Sequence, residues 1–193
     1  MGIQIVFASS NKDKLNEIRA LLPEGFELLS LDDIGFTVEI EETGKTFEDN
    51  AELKANAVFN VSHQMCFADD SGLEVNALGG KPGVKSARYA GEPANHSKNL
   101  ELLLSNMKDK KDRKARFKTI VCLRFDSKTF LFEGIVDGHI TEEPRGHQGF
   151  GYDPIFMPEG HSLTFAEMTL EEKNKISHRK MAIGKMIDFL GYL

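Results

Sequence analysis

The sequence predicts an α/β or α+β fold with a mixed sheet, read as α/β with the sheet flanked by helices. Three observations carry that expectation. Short apolar runs have the length of buried strands, stretches with apolar residues at helical spacing alternate with them, and two β-rich segments mid-chain read as a hairpin. Alternating strands and helices favour parallel pairing, and a hairpin adds an antiparallel part.

Residues 3–7 form the first apolar run, read as a buried strand rather than as part of a signal peptide, since no basic segment or long apolar stretch accompanies it. Ser9, Ser10 and Asn11 then supply helix N-cap chemistry, and Leu15, Ile18, Leu21 and Leu22 follow at helical spacing. Thr46 opens a second helix, with Asp49 three residues on as in a capping box. Its apolar face is Phe47, Ala51, Ala55, Val58 and Val61. Residues 65–68 read as a strand that ends in Asp69-Asp70-Ser71-Gly72, and Gly79, Gly80, Lys81, Pro82 and Gly83 read as a loop. Leu100, Leu103, Leu104 and Met107 mark an amphipathic helix. Residues 108–116 hold six Lys/Arg and two Asp, read as a solvated loop before a strand. Residues 117–125 and 130–136, separated by Asp126-Ser127-Lys128, form the hairpin. Thr169 and Glu172 make a capping box for a short helix, and Ile183, Met186, Ile187 and Leu190 line the last one. With no internal repeat, low-complexity tract or linker, residues 1–193 read as one domain.

The 193 residues are 40% hydrophobic and 28% charged, as in soluble globular proteins, and no run of 18 apolar residues could span a membrane. The net charge of −6 disfavours a general binder of nucleic-acid backbones. Cys66 and Cys122 lie in apolar runs and fit free thiols in a reducing cytoplasm, and the cysteine and histidine spacings of zinc sites are absent.

Five groups of residues bear chemistry. In Ser9-x-Asn11-x-x-Lys14 a strand ends in polar residues and opens a helix, which collects backbone N–H groups, a positive dipole end and an ammonium where an anion could sit; an ordinary N-cap would look the same. Glu41-Glu42 and Asp69-Asp70 offer hard oxygen ligands of the kind Mg²⁺ takes beside phosphate, or plain surface acid. Neighbours on an extended backbone point to opposite sides, so one member of each pair could face a ligand. Lys54 falls inside the apolar arc of its helix, where it either snorkels or reaches a partner. Gly149-Phe150-Gly151-Tyr152-Asp153-Pro154 reads as a turn or as a platform where backbone and aromatic rings approach a flat base. Lys173 and Ser177-His178-Arg179 gather donors at a helix junction, with Ser177 a candidate cap of the last helix. Together these parts suit a nucleoside triphosphate.

The chain resembles the inosine triphosphate pyrophosphatase family, which acts on non-standard purine nucleotides. The resemblance rests on Ser9 to Lys14, on Glu41-Glu42-Thr43-Gly44 with Thr46-Phe47, Asn50-Ala51 and Lys54-Ala55, and on Ala68-Asp69-Asp70-Ser71-Gly72-Leu73. It continues through Gly79-Gly80, Pro82-Gly83 and Ser86-Ala87-Arg88-Tyr89, Gly149 to Phe156, and Glu171-Glu172-Lys173 with Ile176-Ser177-His178-Arg179. Ser9 stands where the family often has Thr. The resemblance implies an elongated sheet with two lobes and the active-site cleft between them, Mg²⁺ as cofactor and a cytoplasmic homodimer. It also implies cleavage of ITP, dITP and XTP to monophosphate and pyrophosphate, with no nucleic-acid or membrane partner. By the same token Asp70 is the base, with Lys54 beside it in the catalytic group. Glu41, Asp69 and Asp70 are the metal set, and the residues leave open which acid is ligand and which is base. The substrate would meet Ser9, Ser10, Asn11, Lys12, Asp13, Lys14 and Ser71, and Phe150, Gly151, Tyr152, Asp153, Lys173, His178 and Arg179. Donors at Lys173, His178 and Arg179 would pair a 6-oxo purine and oppose the 6-amino group of adenine. Two competing readings are a pyrophosphatase for modified pyrimidine nucleotides, of the septum-inhibitor-like family, and a non-catalytic nucleotide- or RNA-binding module.

Overall fold

The structure, a computed structural model, describes residues 2–126 and 128–191. The elements run β1 (Ile3–Phe7), α1 (Lys12–Leu21), β2 (Phe26–Leu29), α2 (Phe47–Ser62), β3 (Cys66–Val75), α3 (His96–Met107), β4 (Lys114–Phe125), β5 (Lys128–Ile140), β6 (Phe156–Pro158), α4 (Leu170–Ile176) and α5 (His178–Leu190). The strands form one sheet in the order β2-β1-β3-β4-β5-β6. It is mixed: β1 pairs parallel with β2 and β3, while β5 and β6 pair antiparallel. Ser127, in the expected hairpin turn, lies outside the described residues.

Local signals hold where their chemistry is local. Asn11 caps α1 by accepting the Lys14 N–H at 3.0 Å. The Thr46/Asp49 and Thr169/Glu172 capping boxes are both complete, which satisfies two otherwise orphaned N–H groups at each helix start. Ser177 is the C-cap of α4, the residue just before α5 begins.

Three expectations are corrected and two strands are added. The strand at 65–68 does not end at Asp69-Asp70 but continues to Val75, because both acids are buried against lysines and need not leave the sheet for water. The basic segment enters β4 at Lys114, so its last three residues are strand rather than loop. Val61 is 64% exposed, as the apolar face of α2 stops at Val58. The short strands β2 and β6, of four and three residues, have no periodic signal of their own and exist by pairing with β1 and β5.

The chain divides into two compact units. The first comprises Met1–Asp70, Thr119–Gly134 and Lys180–Leu193. Its core packs Ile5, Phe7 and Phe67 with Ile18 of α1, Val121 and Leu123 of β4, and Ile183 and Met186 of α5. The second comprises Ser71–Lys118 and Ile135–Arg179, with a core of Leu73, Leu103, Met107, Phe117, Ile140, Phe156 and Phe165. Cys66 and Cys122 are free and buried, and burial pushes both thiols up to about 12, so neither is a ready nucleophile.

Candidate functional site

In the first unit β1 lies between two parallel neighbours, β2 and β3, which the chain reaches in opposite directions. Right-handed crossovers then put α1 and α2 on opposite faces of the sheet. Side chains bear this out: Phe67 packs with Ile18 of α1, whereas the Cys66 thiol meets the Ala55 carbonyl of α2 at 3.4 Å. The carboxyl end of such a central strand is where open α/β sheets take ligands. Here β1 stops at Phe7, the Ala8 N–H still reaches the Phe67 carbonyl at 2.7 Å, and β3 runs on past it.

Alternation along β3 now sorts the two aspartates. Asp69 shares the face of Phe67 and meets α1, where Lys14 Nζ lies 2.9 Å from its Oδ1. Asp70 shares the face of Cys66 and meets α2. Its Oδ2 accepts Asn50 Nδ2 at 3.1 Å, and Lys54 Nζ is 3.6 Å from its Oδ1. Lys54 also donates to Glu42 Oε1 at 2.5 Å. Lys54 therefore does not snorkel: it is 8% exposed and its ammonium joins two carboxylates. Burial disfavours that ammonium, but Asp70, Glu42 and Asp69 outweigh the cost and hold it above the ordinary lysine value. For Asp70 the balance goes the other way, since burial raises its carboxyl more than Lys54, Lys14 and the Asn50 hydrogen bond lower it.

At the start of α1, Ser9 Oγ accepts the Asn11 N–H at 3.2 Å, while Ser10, Lys12 and Asp13 are exposed. Of the two adjacent glutamates, Glu41 is exposed and Glu42 is the one that Lys54 holds. The segment carrying them is irregular, so strand alternation could not choose between them. Asn50 also escaped the sequence reading, although it sits one helical turn before Lys54 and hence on the same face.

The second unit assembles the other group. Asp153 Oδ2 accepts the Phe150 N–H at 2.9 Å and Lys173 Nζ at 2.6 Å, which fixes the loop that presents Phe150. Lys173 Nζ lies 5.2 Å from the centre of the Phe150 ring and the Arg179 guanidinium 5.9 Å from it. Arg179 is 2% exposed and donates to Ser71 Oγ at 3.1 Å. The His178 ring stacks on Phe117 at 4.6 Å with an interplanar angle of 8°. Tyr152 is corrected: it is buried in the core and its hydroxyl donates to the Ser86 carbonyl at 2.9 Å, so it braces the loop rather than offering a stacking face. Gly151 takes a positive φ of 63° in that loop. Gly149 has φ 72°, and a Cβ there would overlap the Asp153 carboxylate. Gly149→Ala is expected to lower the melting temperature, because it breaks the Asp153 anchor beneath Phe150. A thermal melt matching the parent chain would show that the loop tolerates the methyl.

Parallel strands ending at a capped helix, with lysines paired to acids beside them, place the chain among the α/β proteins whose sites lie at the carboxyl ends of strands. Residues 5–189 match the Ham1 family, and the chain belongs to that family. It is 54% identical over 187 residues to a dITP/XTP pyrophosphatase of Flavobacterium psychrophilum, covering 97% of this chain and 98% of the relative. It is 48% identical over 191 residues to the dITP/XTP pyrophosphatase of Bacillus subtilis, covering 97% and 96%. Among solved structures, the Staphylococcus aureus Ham1 protein superposes with a TM-score of 0.88 at 40% identity, over 97% of this chain and 98% of that one. A HAM1 protein from Coxiella burnetii gives 0.90 at 37%, over 99% and 100%.

Proposed function

We propose that the chain hydrolyses the non-standard purine nucleotides ITP, dITP and XTP between the α- and β-phosphates, releasing the monophosphate and pyrophosphate. The observation that carries this reading is the set of two lysines, Lys14 and Lys54, interleaved with Asp69, Asp70 and Glu42. The likeness to dITP/XTP pyrophosphatases over nearly the whole chain supports it. So does the second group, whose buried donors and half-buried Phe150 suit a purine.

Water attacking a phosphoanhydride has to lose a proton and overcome the negative charge of the phosphate oxygens. Asp70 takes that proton. The ammonium groups of Lys14 and Lys54 and the N-terminus of α1 oppose the charge of the triphosphate and of the departing pyrophosphate. Asp69, fully buried and turned to Lys14, serves as the partner that aims that ammonium. Among the described residues no three Asp, Glu, His or Cys side chains converge into a ready metal cluster. Mg²⁺ nevertheless fits the donor set, since it is commonly held by one or two carboxylates together with substrate phosphates. Glu41 and Asp69 would hold it or support the acid that does, which leaves Asp70 to take the proton. When bound, Mg²⁺ supplies further neutralisation of the phosphates.

At the base, donors of Lys173, His178 and Arg179 pair a 6-oxo group and leave the 6-amino group of adenine opposed. Losing one such donor changes the ratio of substrates, whereas losing a phosphate contact lowers all of them together. Arg179→Ala is expected to narrow the ITP/ATP ratio of kcat/KM by about tenfold to a hundredfold, the worth of one hydrogen bond from a charged donor. A ratio also cancels any loss of folded protein from the space left by the buried side chain. Equal losses for ITP and ATP would move Arg179 to the phosphate end.

The net charge of −6 supports a small-molecule substrate rather than nucleic acid. Among the described residues no helix is long and apolar enough to cross a membrane. The two free buried thiols fit the cytoplasm, and the family resemblance adds a homodimer, which light scattering on the purified chain tests. The deciding experiment for the activity is a panel of purine and pyrimidine triphosphates with Mg²⁺, read as pyrophosphate and monophosphate. Release from ITP, dITP and XTP well above the standard nucleotides is expected. Preference for a modified pyrimidine, or no release at all, would overturn the reading.

A further inference from the structure

We propose that Asn50 is a positioning residue that fixes the orientation of the Asp70 carboxylate and locks it to the loop carrying Glu42. This rests on the reading of Asp70 as proton acceptor. Asn50 is 2% exposed and uses both ends of its amide. Its Nδ2 donates to Asp70 Oδ2 at 3.1 Å, and its Oδ1 accepts the Gly44 N–H at 2.8 Å. Buried amides are normally satisfied; the information lies in which groups this one joins. One is a carboxylate in the middle of β3, and the other is a backbone N–H two residues after Glu42.

Asn50 and Lys54 stand four residues apart on one face of α2, and between them they hold both oxygens of Asp70. The two grips differ in kind. Lys54 ends a flexible four-carbon stem with a round ammonium, which attracts a carboxylate without fixing its plane. The asparagine amide is short, planar and directional, so it sets the rotation of the carboxylate and leaves Oδ1 on the side of Lys54. It does so without adding charge.

The same amide secures the loop. A Cβ on Gly44 would lie 2.5 Å from Asn50 Oδ1 and 2.9 Å from the Asn50 nitrogen, so only glycine lets the loop backbone come close enough to donate. Helix capping does not account for Asn50. The start of α2 is already satisfied by Thr46 and Asp49, whose side chains take the Asp49, Lys45 and Thr46 N–H groups.

The test compares Asn50→Ala, Asn50→Asp and the Asp70→Ala background, with ITP as substrate, pyrophosphate as readout and a thermal melt on each chain. Asn50→Asp keeps an acceptor for Gly44 and replaces the neutral donor to Asp70 by a like-charged acid, so it disturbs the Asp70 grip alone and serves if Asn50→Ala fails to fold. For the folded variant, kcat is expected to fall by about tenfold to a hundredfold with KM within about threefold. In the Asp70→Ala background nothing remains to orient, so adding Asn50→Ala is expected to cost less than about threefold more. A kcat near the parent value, a change in KM alone, or full multiplication of the two losses would overturn the proposal while leaving the activity intact. A parent chain that releases no pyrophosphate from any triphosphate fails at the earlier step, and that failure belongs to the functional reading.

Discussion

Asp70→Asn is expected to lower kcat for pyrophosphate release by about 10²–10⁴, the range of a positioned general base, while the melting temperature stays equal or rises. The activity loss follows because an amide of the same shape cannot accept the proton of the attacking water. The stability sign follows from the same burial. Burial lifts the Asp70 carboxyl above its ordinary value despite Lys54 and Lys14, so the ionised form costs more in the fold than in the unfolded chain. A neutral side chain removes that cost, and its oxygen still accepts Asn50 Nδ2. Lys54 keeps Glu42. Catalysis and stability are thus set against each other at this position. Activity within threefold of the parent would remove Asp70 from the base role, and a large drop in melting temperature would mean that its charge holds the fold.

Lys54→Met is expected to lower activity by about 10²–10³, the loss typical of removing a charge-stabilising donor from a reacting site, and here the melting temperature falls too. On a purely apolar helix face methionine would keep or raise stability. The ammonium instead lies between Glu42 at 2.5 Å and Asp70 at 3.6 Å. Deleting it leaves a buried carboxylate without its counter-charge, a change that costs about 3–5 kcal/mol when one member of a buried pair is lost. The two substitutions therefore share a direction in activity and differ in stability, which one plate of melts and one pyrophosphate assay decide. An unchanged melting temperature with full activity would remove Lys54 both from the reaction and from the support of the fold.

Much of the molecule is legible along the chain because the chemistry is short-ranged. Both capping boxes span three residues, the Asn11 cap acts within its own turn, and the apolar spacing of α3 and α5 depends only on helical period. The candidate residues of both groups are legible as well, since buried lysines, paired acids and a glycine-flanked Phe150 stand out against the pattern around them. Less of their assignment is. Asp69 and Asp70 are equivalent as letters. They part company because β1 is central, which sends α1 and α2 to opposite faces and hands one aspartate to Lys14 and the other to Lys54 and Asn50.

By itself the sequence determined the interleaving of strands and helices, the helix starts, most of the core faces and the residue types of the two candidate groups. Only the tertiary structure decided which atoms face which. It paired Glu42 rather than Glu41 with Lys54 in an irregular loop with no period to read, put Tyr152 in the core, and carried β3 through two charges that look like a strand end. It also created β2 and β6, which have little propensity to announce them. The physical reason is common to all of these. Each depends on a partner 12 to 66 residues away, whose position is set by pairing and burial rather than by neighbours along the chain.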